Sequence, residues 1–440
     1  MIMPKFEDEV TAFHRGKQAV VFDFQGEDIS SDGGALLLKK IESKTHIIRD
    51  FAKGIPDARC QAFIDYSYQQ LVEQRIYQMA QGYQDCNDAK YLRNDPVMQE
   101  ALGGKLSSQP TLSRLENTMK RHVIWDLSEA WVDRYIASIK PGRKKLVLDI
   151  DSTDDPAHGG QQLSMFHGYY DQNQLDELLI FDGETGQLVL PVLRPGNSHT
   201  ARWAFSILKR IIRKIRALFP DMRIELRADS GFSCPELYKL VEDFGLVFAV
   251  GIAANATLKA LVKDIQVVAK EQFAATGEPV KLITEGFEYK AESWDRPQTV
   301  HAKIEVTEKG INTRFFITNI GEMTGDEVYW DFYVCRGETC ENRIKEFKNM
   351  CFSGRLSCNS FWANGFRLFL SAIVYEVFGE LKRMIAKTRH DEAKKWQVDN
   401  LRLFLLKVGA TVKRRVRKVT IRFSRAFAQQ ELFRELMLAG

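Results

Sequence analysis

The chain has 440 residues, 45% hydrophobic and 27% charged, with a formal net charge of +4. This is ordinary soluble globular composition, without repeats or low-complexity tracts, and the length allows two to four domains. So small a net charge names no partner by itself.

The seven cysteines are Cys60, Cys86, Cys234, Cys335, Cys340, Cys351 and Cys358. Their number is odd and no CxxC pair occurs, which excludes a disulfide framework or a zinc site and leads to the expectation of a reduced, cytoplasmic protein. Lys5, Glu7, Asp8 and Glu9 interrupt the start, so no signal peptide is expected. The longest apolar segment, 361–381, carries Arg367 and Glu376 and reads as a buried helix rather than a membrane span.

Residues 1–140 read as mainly helical after an opening strand near 18–24. Ser30, Ser31 or Asp32 offers an N-cap for the apolar stripe that follows. Phe63, Tyr66, Leu71, Ile76 and Met79 fall near helical spacing, with Gly82 as the stop. In 107–120, Ser108 is placed as a cap and Pro110 in the first turn. Such a helix suits a DNA groove, but a surface helix in a bundle is the better-weighted reading.

Residues 141–262 change character. "KKLVLDID" is a strand, and "ELLIFDGETGQLVLPVLRPG" is two strands around a turn with Gly183 and Gly186. An amphipathic helix follows, with Ile207, Leu208, Ile211, Ile212 and Ile215 on one side. Then come the strand "MRIELRADSGF", a helix, and the strand "LVFAVGIA". The order β-β-β-α-β-α-β matches an RNase H-like core. Residues 263–328 read as a β-rich insertion with turns at Gly286, Gly310 and Asn312. The chain from 329 to 440 reads as the last part of the core, with C-terminal helices and a basic tail. Two basic runs, 208–216 and 412–425, stand out; each is either a solvated face or a contact with a polyanion.

The stretch "LVLDIDSTDD" drives carboxylates into the end of a strand, which is costly without a compensating cation or hydrogen bonds. Asp149 and Asp151 project to the same face. Asp229 closes a second strand, adjacent in the expected sheet, so Asp151 and Asp229 would meet. A third acid is sought on the helix "GETCENRIKEFKNMC". There Cys340, Ile344, Phe347 and Cys351 form a buried stripe, and Glu341, Lys345 and Lys348 a polar one. An intrahelical Glu–Lys pair explains that polar stripe equally well. Three converging acids would suit Mg²⁺ or Mn²⁺, which take oxygen ligands.

These segments resemble the DDE transposases of bacterial insertion sequences, specifically the insertion-sequence-1380 group. The resemblance runs over nearly the whole chain. It rests on "SSDGGALLL", "GYQDCNDAKYLRNDP", "SQPTLSRLEN", "LDIDSTDDPAHGGQ", "LRADSGF" and "ENRIKEFK". The wider insertion-sequence-4-like group shares a signature of Tyr, two residues, Arg, three residues, Glu, six residues, Lys. Tyr333, Arg336, Glu341 and Lys348 follow it with one extra residue between Arg336 and Glu341, which keeps Glu338 as an alternative.

The resemblance implies Asp151, Asp229 and Glu341 as catalytic metal ligands for Mg²⁺ (or Mn²⁺), with Asp149 the alternative first acid. It implies phosphate contacts for Tyr333, Arg336, Lys345 and Lys348, and a helical N-terminal DNA-binding region. Trp294 and Trp330 are candidates for stacking on an unpaired base, though core positions suit them better. His158 and Gln161 would line the site or merely satisfy backbone groups. The implied activity is cleavage at terminal inverted repeats and strand transfer into target DNA, by a homodimer on DNA at the bacterial nucleoid, away from membranes. Two other readings are a catalytically silent DNA-binding repressor and a stand-alone RNase H-like nuclease.

Overall fold

The computed structural model describes residues 10–439, except for the side chain of Glu338. The stretch with Lys5, Glu7, Asp8 and Glu9 therefore lies outside the described residues, as does the Glu338 carboxylate. The chain divides into two compact units. One comprises Met1–Ala52, Arg59–Arg114 and Val377–Gly440; the other comprises Lys53–Ala58 and Leu115–Glu376.

In the first unit, β1 (Val10–Arg15) and β2 (Gln18–Phe22) form an antiparallel ribbon, and β3 (Ile29–Ser30) precedes the helix Ala35–Thr45. That helix has Gly34 at its N-cap and no side-chain cap, contrary to the expectation for Ser30, Ser31 or Asp32. The Asp32 carboxylate is engaged elsewhere: it accepts from Lys407 Nζ at 2.7 Å, Tyr83 Oη at 2.9 Å and Ser31 Oγ at 3.0 Å. A buried carboxylate gains more from an ammonium than from a cap amide. The helix Tyr68–Ala80 is closed by a Ser67–Gln70 capping box at one end and by Gly82, at φ +95°, at the other. The helix Gln109–Asn117 exposes Pro110, Arg114 and Asn117 and buries Leu112 and Leu115.

The second unit is built on one mixed sheet. Its strands are β4 (Lys145–Pro156), β5 (Met165–His167), β6 (Gln172–Asp182), β7 (Leu188–Arg194), β8 (Arg223–Ala228), β9 (Val247–Ile252), β10 (Val280–Ile283), β11 (Phe287–Tyr289), β12 (Gln298–Thr307) and β13 (Gly310–Thr318). Their order is β10-β12-β13-β9-β8-β4-β6-β5, with β7 paired to β6 and β11 to β12. β4, β8 and β9 run parallel, whereas β6 and β7 are antiparallel to their neighbours. The turn between β6 and β7 uses Gly186 at φ +75°. The helices Ala204–Leu218 and Pro235–Phe244 supply the β7–β8 and β8–β9 connections. The first of these buries the expected Ile207, Leu208, Ile211, Ile212 and Ile215.

The segment 263–328 is less uniformly β than its sequence suggests, because Lys263–Thr276 is a helix. The strands that follow do not form a separate sheet. β13 pairs with β9, Phe315 opposite Ile252 and Thr318 opposite Ala249, which covers an otherwise open edge. The long helix Phe361–Ala386 is largely buried as expected, and among the described residues no helix is long and apolar enough to cross a membrane.

Back in the first unit, β14 (Ala410–Arg415) and β15 (Lys418–Phe423) form a hairpin, and β14 pairs with β3. The basic tail is therefore mostly strand.

Candidate active site

Parallel pairing of β4 with β8 ends at Ile150 opposite Ala228. Asp151 and Asp229 are the next residues along the two chains, Asp151 still within β4 and Asp229 just past the end of β8. Asp229 opens the tight turn Ser230–Phe232, and its carboxylate accepts from the Gly231 amide at 2.9 Å. A Cβ on Gly231 would meet the Thr200 side chain at 2.9 Å, so the turn needs a residue without one.

Glu341, expected as the third acid, lies on the helix Val334–Lys345, which is flanked by π-helical turns at Val328–Tyr333 and Glu346–Met350. The first of these turns is held to the sheet. Val328, Tyr329 and Phe332 pack with Val147 of β4, Ala249 of β9 and Phe316 of β13. The helix turns Cys340 inward, with Phe347 and Cys351 buried beyond it, and leaves Glu341 and Lys345 exposed. Ile344 is half-buried.

A cavity of about 620 Å³ opens here. Asp229, Glu341, Tyr333, Arg336 and Gly251 are among its lining residues. Asp151 is not among them, but it is paired with Arg336, which is. Burial pushes the Asp151 carboxyl up to about 6. Arg336 pulls it down, the charges of Asp229 and Glu341 push it further up, and the Ser152 amide opposes them. Asp151 thus feels the charges of residues 229 and 341 although they are far from it in the chain.

Arg336 Nη2 donates to Asp151 Oδ2 at 2.7 Å and to the Ile150 carbonyl at 3.2 Å, while Arg336 Nε is buried without a partner. Tyr333 stacks on Phe316, ring centroids 5.7 Å apart, and its hydroxyl crowds the position a Cβ on Gly251 would take. Burial pushes its phenol up. Lys348 Nζ donates to Asp154 Oδ1 at 2.7 Å, whereas Lys345 has no ion-pair partner among the described residues.

Asp149 is fully buried and held from two sides. Arg227 Nε and Nη2 grip it at 2.7 and 2.9 Å, and Arg343 Nη1 approaches at 3.3 Å. Its oxygens face guanidinium groups rather than the cavity. Gln161 is a clip: its Nε2 donates to the carbonyls of Leu356 and Cys358 and its Oε1 accepts from the His158 amide, while the His158 side chain is exposed. Trp294 is core, edge-on to Tyr238 and Tyr289. Trp330 is 40% exposed, with Lys281 Nζ 5.6 Å from its ring.

Several site residues went unread in the sequence. Arg227 and Arg343 fix Asp149. Arg194 pairs with Asp176 and donates to Ser152 Oγ, bracing the strand beside Asp151. The available signal was polar residues recurring on alternate positions of otherwise apolar strands, as in Glu225 and Arg227 of β8.

Among the described residues, no group of three or more His, Cys, Asp or Glu side chains is close enough to hold a metal ion. The donors present are nonetheless of one kind. Asp229 and Glu341 line the cavity and both push on Asp151, and carboxylates offer oxygen ligands only, which suits a hard divalent cation.

The sequence matches the family described as Transposase DDE domain group 1 over residues 13–439. The chain belongs to that family. DDE transposases are, in general, metal-dependent DNA-cleaving enzymes, and transposition is the activity of the family. No curated protein matches the chain. Among solved structures, a piggyBac transposase synaptic complex with hairpin DNA is similar at 12% identity, covering 84% of this chain and 80% of its own, with a TM-score of 0.44. A Mos1 transposase paired-end complex with the left transposon end is similar at 12% identity, covering 44% of this chain and 71% of its own, with a TM-score of 0.18.

Proposed function

We propose that this DDE transposase is of the insertion-sequence-1380 kind, with an RNase H-like core running from β4 to β9 and resuming at the helix Val334–Lys345. It binds the terminal inverted repeats of its own element, cuts a strand at each end, and joins the freed 3′-hydroxyl to target DNA. Because two ends must be held together, the working form is a homodimer on DNA.

Asp151, Asp229 and Glu341 are the groups that would hold the divalent ions, Mg²⁺ or Mn²⁺. Such ions activate the attacking oxygen and stabilise the leaving one. Lys345 and Lys348 position the phosphate backbone beside the acids, and Tyr333 and Arg336 line the same hollow. Asp149 is a structural acid in this reading. The observation that carries it is the convergence at Asp151: Asp151 and Asp229 each follow the last β4–β8 register pair, Ile150 with Ala228, and Asp151 feels the charges of both Asp229 and Glu341.

The test uses DNA carrying the inverted repeats that flank the coding region. Asp229→Ala should abolish Mg²⁺-dependent end cleavage and leave binding to the ends intact; cleavage retained by that variant overturns the assignment. Glu341→Gln and Glu338→Gln in the same assay decide the third acid. The Arg336–Asp151 pair favours one second reading, a chain that binds ends without cutting them, and wild-type cleavage in Mg²⁺ excludes it.

A further inference from the structure

The two basic runs look alike in sequence and differ in the fold. In the helix Ala204–Leu218, Arg210 pairs with Glu129 at 2.7 Å, Lys214 with Glu129 and Asp133 at 2.8 and 2.6 Å, and Arg216 donates to backbone carbonyls. Much of its charge is neutralised within its own unit.

The hairpin β14–β15 is arranged otherwise. Its register pairs Ala410 with Phe423, Val412 with Ile421 and Arg414 with Val419 on one face. Ala410 and Val412 are buried, and Arg414 is tied to Glu100 at 2.7 Å and Asp28 at 3.4 Å. That face anchors the ribbon to its unit. The other face pairs Thr411 with Arg422, Lys413 with Thr420 and Arg415 with Lys418. Lys413, Arg415, Lys418 and Arg422 are exposed, and none has an acidic partner among the described residues. The two-residue tip adds Arg417 and a fully exposed Val416.

We propose that this outer face is a binding surface for duplex DNA, with the ribbon lying in the major groove. The assignment rests on the reading that the protein handles DNA, and it names a surface which that reading leaves open. A face with four unpaired cations and two threonines, and with no aromatic or aliphatic anchor, lacks what a protein interface uses for affinity. It carries what phosphates and groove edges recognise: Lys and Arg for phosphate, Arg or Lys for guanine O6 and N7, threonine for either. A two-stranded ribbon fits the major groove, about 12 Å wide. Anchoring of the inner face holds the cations in place before DNA arrives, which lowers the ordering cost of binding.

The experiment compares the full-length wild type with the quadruple variant Lys413→Gln, Arg415→Gln, Lys418→Gln, Arg422→Gln. The probe is a mixed-sequence duplex, its affinity followed by fluorescence anisotropy from about 50 to 200 mM salt. Neutralising four phosphate contacts should flatten the slope of log K against log salt by about 3–4. Protection of guanine N7 from dimethyl sulfate should also disappear. An unchanged slope in a variant that melts like wild type overturns the proposal, and a reduced slope with unchanged N7 protection overturns the groove placement. If the quadruple variant melts early, Arg415→Gln with Lys418→Gln at the tip replaces it, with an expected slope loss of about 2. Failure of the wild type to bind duplex at all would overturn the DNA-handling reading itself. Loss of cleavage in Asp229→Ala with an intact slope leaves the ribbon assignment standing.

Discussion

Arg336 Nη2 lies 2.7 Å from Asp151 Oδ2, so the first of the three acids is held by a guanidinium from the helix that carries the third. Removing one partner of a buried ion pair leaves a charge without compensation, at a cost of about 3–5 kcal/mol. Here the strand is worse, because Asp151 is also repelled by Asp229 and Glu341. Arg336→Gln should lower stability substantially, and adding Asp151→Asn should restore most of the loss. Urea unfolding of the two single variants and the double variant gives the coupling energy. Additive losses would mean that the pair does not hold these two elements together.

Asp149 makes the contrasting case. Two arginines from different elements, Arg227 and Arg343, close on a fully buried carboxylate. Asp149→Asn should destabilise the fold by a few kcal/mol, whereas Asp151→Asn also removes the repulsion from Asp229 and Glu341 and leaves Arg336 its contact to the Ile150 carbonyl, so it should cost less stability while losing cleavage. Thermal melts of the two variants, read beside the end-cleavage assay, separate a structural acid from a catalytic one. A stable, cleavage-dead Asp149→Asn would reverse the roles.

Residues whose local pattern matched their environment were legible from sequence. Asp229 follows directly on the apolar end of β8, Asp151 stands just past the buried start of β4, which runs on to Pro156, and Glu341 stands on the polar stripe of a helix whose opposite stripe is buried. The succession of elements around β4 followed from periodicity and turn residues, and the pairing of β4 with β8 was expected only from the RNase H-like order that this succession matched. The functions of Asp149 and Asp32 were not legible, because their partners come from elsewhere in the chain. Arg227 is 78 residues from Asp149, and Lys407 is 375 residues from Asp32. Asp32 has the composition of an N-cap and the surroundings of a buried ion pair, and the ion pair prevails. Likewise β13 offers the alternation of an independent sheet, yet its backbone edge is completed by β9. The contrast between the two basic runs also emerged only in three dimensions, where acidic side chains meet one and not the other.

A last consequence concerns Asp155 and Glu177, buried carboxylates on the neighbouring strands β4 and β6. Among the described residues neither Asp155 oxygen has a hydrogen-bond partner, and Glu177 has only Ser353 Oγ, donating at 3.0 Å to Oε2. Burial pushes Asp155 up well above the carboxylate range, and the charge of Glu177 adds to the rise; burial pushes Glu177 up against the pull of Ser353 and Lys348. The folded chain therefore keeps protons that the unfolded chain releases near pH 4. Wherever the unfolded state binds fewer protons, stability falls as pH rises. The contribution of this pair is thus most favourable at acidic pH and is eroded through neutrality into the alkaline range. Asp155→Asn removes one of the two titrations and the repulsion between them. Melting temperatures at pH 6 and pH 9 should show a smaller alkaline loss in the variant than in wild type, with the variant the more stable at pH 9. An equal loss in both proteins would mean that the pair is ionised, and compensated, in the folded state.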